Sequence, residues 1–363
     1  MSVARHDLAI VGAGLVGLAH ALAAARRGLK TIVLERDPQP AGRSLRDAGI
    51  VCPAGQNAGT SWLRARRSVA LWMELARPLG ITVSPLGLLA LARTPQAAAR
   101  LRDFGVSRMG EGSTALDRAE LERRLPALAA GIDCGLSAPG GCRIEPREAL
   151  PALRRHLAGM GVAIACGTAA ASIVTGRIET TAGLVRADRI VVAPGADLQT
   201  LYPRIFASHG VALARRRYLR LAPQPADFRL DAVVIGDAGI LAQGGFAGQA
   251  GPGAAAGLAV ELVQAADGTL VVTGPAEGGA AHDPFLDAAT ERRMLAAAGD
   301  LVTIPDPTVV ERWSSVEPVA TGRDVVIVAP EPGIRVVSIT GGNAIGTALA
   351  LAEEVVEDLL TGV

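Results

Sequence analysis

Gly12, Gly14 and Gly17 stand in the spacing G-x-G-x-x-G, and Glu35 closes the apolar run that follows. Residues of these types in this order suit a dinucleotide. Gly12 makes a tight turn, Gly14 lets backbone N–H groups approach a pyrophosphate, and Gly17 lets a helix pack close to the preceding strand. The diphosphate then lies beside Val11, Ala13 and Leu15, at a helix N-terminus whose free N–H groups and dipole favour an anion. Glu35 is placed to accept a hydrogen bond from a ribose hydroxyl. The plain alternative, a glycine-rich turn in an ordinary α/β core, leaves Glu35 to chance.

The elements that must position these residues are legible in "DLAIVGAGLVGLAHALAAARRGLKTIVLER", residues 7–36. "LAIVG" reads as a fully buried parallel strand, "LAHALAAARRG" as a helix stopped near Gly28, and "KTIVLER" as a second buried strand. This βαβ pattern does not separate FAD from NAD. The layout of the chain does, because the other nucleotide-domain pieces return only later. "RSLRDAGIVCPAGQ" leads into a long amphipathic helix, "TSWLRARRSVALWMELARPLG". A strand, a meander and a buried strand then end in Ala193-Pro-Gly195-Ala, and "GIRVVSITGGNAIGTALALAEEVVEDL" is again strand, glycine turn and helix. A nucleotide domain interrupted twice is the layout of FAD enzymes.

Composition narrows the field further. At 363 residues the chain can build two joined domains, and with 50% hydrophobic but 3% aromatic residues its core must be aliphatic. The net charge of +1, with no basic tract interleaved by aromatics, argues against nucleic acid as a partner. Cys52, Cys134, Cys142 and Cys166 form no metal-finger spacing and read as free thiols of a cytoplasmic protein. His6, His20, His156 and His209 form no metal spacing, so no metal is expected; His282, before the turn-like "DPF", reads as structural rather than catalytic, and no apolar run is long enough for a membrane span.

With these motifs in order, the sequence resembles the FAD-dependent D-amino-acid oxidase and glycine oxidase superfamily. The resemblance rests on the glycine loop with Glu35, Ser44-Leu-Arg-Asp-Ala-Gly49, Ala193-Pro-Gly195-Ala and the C-terminal glycine turn, and covers nearly the whole chain. "PAGQ", "REALPAL", "APGADLQTLYP" and "ERW" are similar to the phosphonate-catabolism branch, which acts on 2-aminoethylphosphonate or its N-methyl form. The resemblance implies an α/β (α+β) fold with two domains. A discontinuous Rossmann-like FAD-binding domain of the glutathione-reductase type takes residues 1–80, 146–211 and 313–363. An antiparallel-sheet substrate domain takes 81–145 and 212–312.

It also implies roles. Gly12, Gly14 and Gly17 hold the pyrophosphate, Glu35 the ribose, and Arg36 lies beside the adenosine. Arg43 and Ser44 lie near the pyrophosphate and flavin, Ala170 meets adenine, and Gly195 packs near the diphosphate. Gly342, Ile345, Gly346 and Thr347 form a turn whose helix start points at flavin N1 and O2, where its dipole favours negative charge.

Substrate contacts are expected from Arg46, Gln56, Arg217, Arg220 and Glu317. Hydride leaves the carbon next to nitrogen for flavin N5, and the imine is then hydrolysed. The sequence departs from glycine-oxidase relatives at Trp313-Ser-Ser-Val-Glu317, where an acid stands in place of a carboxylate-clamping arginine. Gly274-Pro-Ala276 replaces the Asp-Ser-His run of the phosphonate branch, and residues 236–257 look shortened and glycine-rich. Arg217 or Arg220 must then hold an anionic substrate group, unless both belong to a solvated strand face. The partners implied are a small amine and oxygen or another electron acceptor. The single lysine, Lys30, lies too far off to assist oxygen, which leaves an arginine (Arg46 or Arg217), the protonated product or nothing for that task. The alternative is an FAD-binding relative that has lost oxidase chemistry and serves as a partner subunit.

Overall fold

The computed structural model describes residues 5–39, 42–246, 257–279 and 287–362. Strand β1 (Arg5–Val11), helix α1 (Leu15–Ala25) and strand β2 (Thr31–Leu34) form the expected βαβ unit, with β1 and β2 parallel from Leu8↔Thr31 to Val11↔Leu34. Ala19, Ala21, Ala23 and Ala24 are all buried, and small side chains let α1 lie close between its neighbours. Parallel strands buried on both faces need continuous aliphatic runs, and "LAIV" and "TIVL" supply them.

Around that unit the first sheet takes in β7 (Ala163–Ala165), β10 (Gly183–Val192), β16 (Val325–Val328) and β17 (Ile334–Ile339), in the order β16-β17-β10-β1-β2-β7. The meander β8 (Ala170–Val174) and β9 (Arg177–Thr180) hangs from β10. Helices α2 (Thr60–Leu79), α5 (Pro146–Gly159) and α9 (Ala344–Thr361) share one aliphatic core with α1. Trp72 Nε1 ties α2 to α9 by donating to the Ile345 carbonyl at 3.0 Å. Phe206, on α6 (Pro203–Ser208), packs with the opposite face of the sheet.

The second sheet contains β3 (Ile50–Val51), β4 (Val83–Ala92), β5 (Thr114–Asp117), β6 (Cys134–Ile144), β11 (Ala212–Pro223), β12 (Ala232–Ile235), β13 (Glu261–Gln264), β14 (Thr269–Gly278) and β15 (Val309–Val319). Its pairs are antiparallel except β4 with β12, which is parallel. The β13–β14 hairpin turns at Asp267-Gly268, where the Asp267 carboxylate accepts from Thr269 N at 3.0 Å. Helices α3 (Pro95–Gly105), α4 (Arg118–Arg124), α7 (Asp237–Ala242) and α8 (Ala288–Gly299) pack apolar residues against this sheet.

Two expected boundaries shift. A nucleotide piece beginning at 313 cuts through β15, which pairs with β11 without interruption from Arg312 to Val319. Ile50 and Val51, expected in the first nucleotide piece, pair with Arg143 and Cys142 of the second sheet. In both places backbone pairing continues across a boundary drawn from motif position alone. The glycine-rich segment begins as helix α7, and residues 247–256 and His282 lie outside the described residues. Among the described residues no helix is long and apolar enough to cross a membrane, and no His/Cys/Asp/Glu group could hold a metal ion.

Candidate active site

Two cavities have neighbouring walls, the first at the ends of the parallel strands. The first, of about 270 Å³, is lined by Val11, Gly12, Ala13, Gly14, Leu15, Glu35, Arg36, Arg43, Ser44, Ala170 and Gly195, all of them anticipated from the sequence. Gly12 has φ +105°, and a Cβ there would lie 2.3 Å from the Ala193 carbonyl oxygen. Gly17 lies behind the wall, where a Cβ would fall 1.8 Å from the Gly12 oxygen, so its role is packing. At Gly14 a Cβ would meet only Ser44 Oγ at 3.5 Å. That glycine leaves open space on the cavity side. The Glu35 carboxylate accepts from Ala13 N at 2.8 Å and from Asp37 N at 3.1 Å, and Ser44 Oγ accepts from Leu15 N at 3.0 Å. Arg36 pairs with Asp197 at 2.6 Å on the same wall.

The second cavity, of about 690 Å³, lies against the other sheet and is lined by Asp47, Gln56, Arg216, Tyr218, Glu261 and Thr273, among others. Strand register builds its polar face. Trp313, Tyr218, Thr273 and Glu261 are direct cross-strand neighbours on β15, β11, β14 and β13. Tyr218 stacks on Trp313 with ring centroids 5.2 Å apart. An irregularity in the β11–β14 register, where Arg216 pairs with Ala276 but Tyr218 with Thr273, inserts Gly274-Pro275 beside the cavity.

Beneath the cavity lies a buried ion cluster. Glu317, wholly inaccessible, bridges Arg43 at 2.6 Å and Arg216 at 3.0 Å. Arg216 also donates to the Gly274 carbonyl at 3.0 Å, and Arg43 to the Gly342 carbonyl at 2.8 Å. Because Arg43 lines the first cavity and Gly342 the second, this last bond ties their walls together. Burial works against the charge of Arg216, but Glu317 together with Tyr218 and Glu261 more than offsets it and holds the guanidinium pKa above its ordinary value. Burial raises the carboxyl pKa values of Asp47 and Glu261, and the charge of Asp47 raises that of Glu261 further. Cys52, on the same wall, is pushed up to about 12 by burial and stays a thiol.

Several expected contacts fall elsewhere. Arg46 is exposed and lines neither cavity; its carbonyl accepts from Trp313 Nε1 at 2.8 Å. Arg217 points to the opposite face of β11 and pairs with Glu277, and Arg220 pairs with Glu311 at 3.1 Å. Among three consecutive arginines, side-chain alternation puts Arg216 toward the cavity and sends its neighbours away. Glu317 touches arginines, not cavity space. Gln56 does line the second cavity. At the last turn Gly342 lines that cavity, but Ile345, Gly346 and Thr347 line neither. Gly346 is needed by the helix cap: its N–H donates to Asn343 Oδ1 at 2.9 Å, and a Cβ there would lie 2.4 Å from that oxygen. Asn343, Asp47 and Glu261 went unnoticed in the sequence. An Asn three residues before a helical glycine was a readable cap signal for the first; the two acids carried none.

The chain matches the DAO family, described as FAD dependent oxidoreductase, over residues 7–358. Glycine oxidase from Geobacillus kaustophilus (strain HTA426) is 29% identical over 222 residues, which span 57% of this chain and 59% of that enzyme. The crystal structure of glycine oxidase from Geobacillus kaustophilus superposes with a TM-score of 0.81 at 23% identity, covering 98% of this chain and 95% of the other. That of iminodiacetate oxidase from Chelativorans sp. BNC1 gives 0.76 at 19% identity, covering 98% and 95%. The chain therefore belongs to the DAO family of FAD-dependent oxidoreductases, and its cofactor is FAD. The residues fit that group. Gly14 leaves its side of the first cavity clear, Glu35 faces the same space, and Arg43 Nε on that wall is buried without a partner among the described residues.

Proposed function

We propose that this enzyme oxidises the C–N bond of a small amine, an amino acid or an aminophosphonate, giving an imine that hydrolyses to a carbonyl compound. The observation that carries this reading is the second cavity, roomy and walled by polar groups, whose Gly342 carbonyl accepts a hydrogen bond from Arg43 on the wall of the first. Similarity to a glycine oxidase over 222 residues supports the reaction class. Bound FAD supplies a ring that accepts hydride. In this reading Gly12, Gly14, Glu35, Arg36, Arg43, Ser44, Ala170 and Gly195 hold the cofactor from the first sheet, and the second sheet covers the reacting end.

The protein's own groups then have limited tasks. Tyr218, Thr273 and Gln56 orient the substrate, and the apolar residues Ile50, Leu88 and Val233 exclude water from it. The branch that acts on aminophosphonates is the finer proposal, supported by the sequence motifs alone. The four unpaired thiols support a cytoplasmic location. Anaerobic titration of the purified yellow protein tests the reaction class, using primary, secondary and N-methyl amines with and without carboxylate or phosphonate. Bleaching of the visible flavin band by at least one is expected. A flavin that none of them reduces refutes the reading.

A further inference from the structure

The wall of the second cavity is unbalanced in charge. Arg216 is its one cation among the described residues, against the carboxylates of Asp47, Glu261 and Asp324. That cation is spent: Nε and Nη2 engage Glu317 at 3.1 and 3.0 Å, and Nη1 engages the Gly274 carbonyl at 3.0 Å. Arg43, on the neighbouring wall, is likewise held by Glu317 and the Gly342 carbonyl, and lies 3.8 Å from Asp47. When Asp47 and Glu261 are ionised, they and Glu317 set three interior carboxylates against two guanidiniums, one negative charge over, and the burial that works against that charge makes a cation welcome there. Asp324 adds a further one at the wall, partnered by Asn57 and Ser61.

A second observation points into the same space. Thr273 is 3% exposed and lines the cavity, and its Oγ1 has no hydrogen-bond partner among the described residues. It stands directly across the ladder from Glu261, so both side chains share one face. Among the described residues the Glu261 carboxylate receives only the Gln243 amide, at 3.2 Å.

We infer that this cavity is an ammonium site, in which Asp47, Glu261 and Thr273 Oγ1 hold the positive head of an amine that carries no carboxylate. The inference rests on the amine-oxidation reading and narrows its substrate class to amines without an acidic group, against the aminophosphonate alternative. An ammonium brings the interior count to zero. A carboxylate there meets two acids and no free guanidinium, and beside buried groups that repulsion is weakly screened.

The test uses holoenzyme and two probes of equal shape and opposite charge, tert-butylammonium and pivalate. Neither has a hydrogen on the carbon bearing its charged group, so the amine binds without being oxidised. Binding is read by calorimetry and by perturbation of the flavin spectrum. Tert-butylammonium should bind about tenfold or more tighter than pivalate, and Glu261→Gln should erase most of that preference. Thr273→Val, a near-isosteric change, serves if the buried acid variant does not fold, and should weaken the ammonium several-fold. Tighter binding of pivalate overturns the site, as does tert-butylammonium affinity unchanged in both variants. If tert-butylammonium binds but no amine bleaches the flavin, the oxidation reading fails and the ammonium site stands. If glycine or sarcosine bleaches it and tert-butylammonium does not compete, the site fails and the oxidation reading stands.

Discussion

At the scale of single residues, two glycines of one motif do different work. Gly17→Ala forces a Cβ onto the Gly12 carbonyl, so it should destabilise the fold by about 1–3 kcal/mol whether or not FAD is present. Gly14→Val should leave the apoprotein's unfolding nearly unchanged but abolish flavin retention, because its branches enter the first cavity. Chemical denaturation beside flavin content separates the two effects. Equal loss of stability in both variants would contradict the distinction. Glu317 invites the opposite kind of change. It compensates two buried guanidiniums, so Glu317→Gln should cost about 3 kcal/mol of unfolding free energy in the holoprotein. Retained stability with altered substrate preference would mean that Glu317 reaches the substrate after all.

At the scale of elements, helix α1 carries a pH liability. His20 is fully buried, its Nδ1 donates to the Val16 carbonyl at 2.7 Å, and burial lowers its pKa to about 4. The unfolded chain takes up this proton near the ordinary value of 6.5 and the folded chain only near 4, so stability falls as pH drops across that window. The loss amounts to about 3 kcal/mol at the acid end. His20→Leu should flatten that limb of an unfolding-versus-pH curve, and an unchanged slope would place the proton elsewhere. The same helix shows why the first βαβ unit was readable in sequence. Strand, glycine turn, helix and Glu35 are local signals, each set by residues within one βαβ unit. The substrate side was not local. Whether Arg216 or Arg217 faces inward depends on the register of β11 against β14 and on its irregularity at Gly274-Pro275. Asp47 and Glu261 come from stretches far apart in sequence, and only the second sheet brings them to one cavity. Ion pairs such as Glu317 with Arg43 leave no periodic trace in sequence.

At the scale of the whole molecule, FAD binding should act as a stabiliser of both sheets, since the first cavity draws residues from β1 and β2 and also Pro318 of β15. Free FAD at a hundredfold excess over its dissociation constant should add about 2.7 kcal/mol to the unfolding free energy. A thermal scan that shows no shift with added FAD would count against the cofactor site. Reoxidation is a matter of the whole chain too, because Lys30 is exposed at the start of β2 and lines neither cavity. With no lysine at the reacting end and Arg216 already paired, reduced enzyme mixed with oxygen in stopped flow should reoxidise slowly, and an artificial acceptor should outpace it. Fast reoxidation in air would refute that expectation. The stacked rings of Tyr218 and Trp313 have an optical consequence. One ring touches the cavity and the other sits behind it, partly open to solvent, so indole emission should register what occupies the pocket. Comparing wild type with Trp313→Phe then isolates that signal from Trp62 and Trp72, giving a built-in fluorophore for watching ligands arrive without a label.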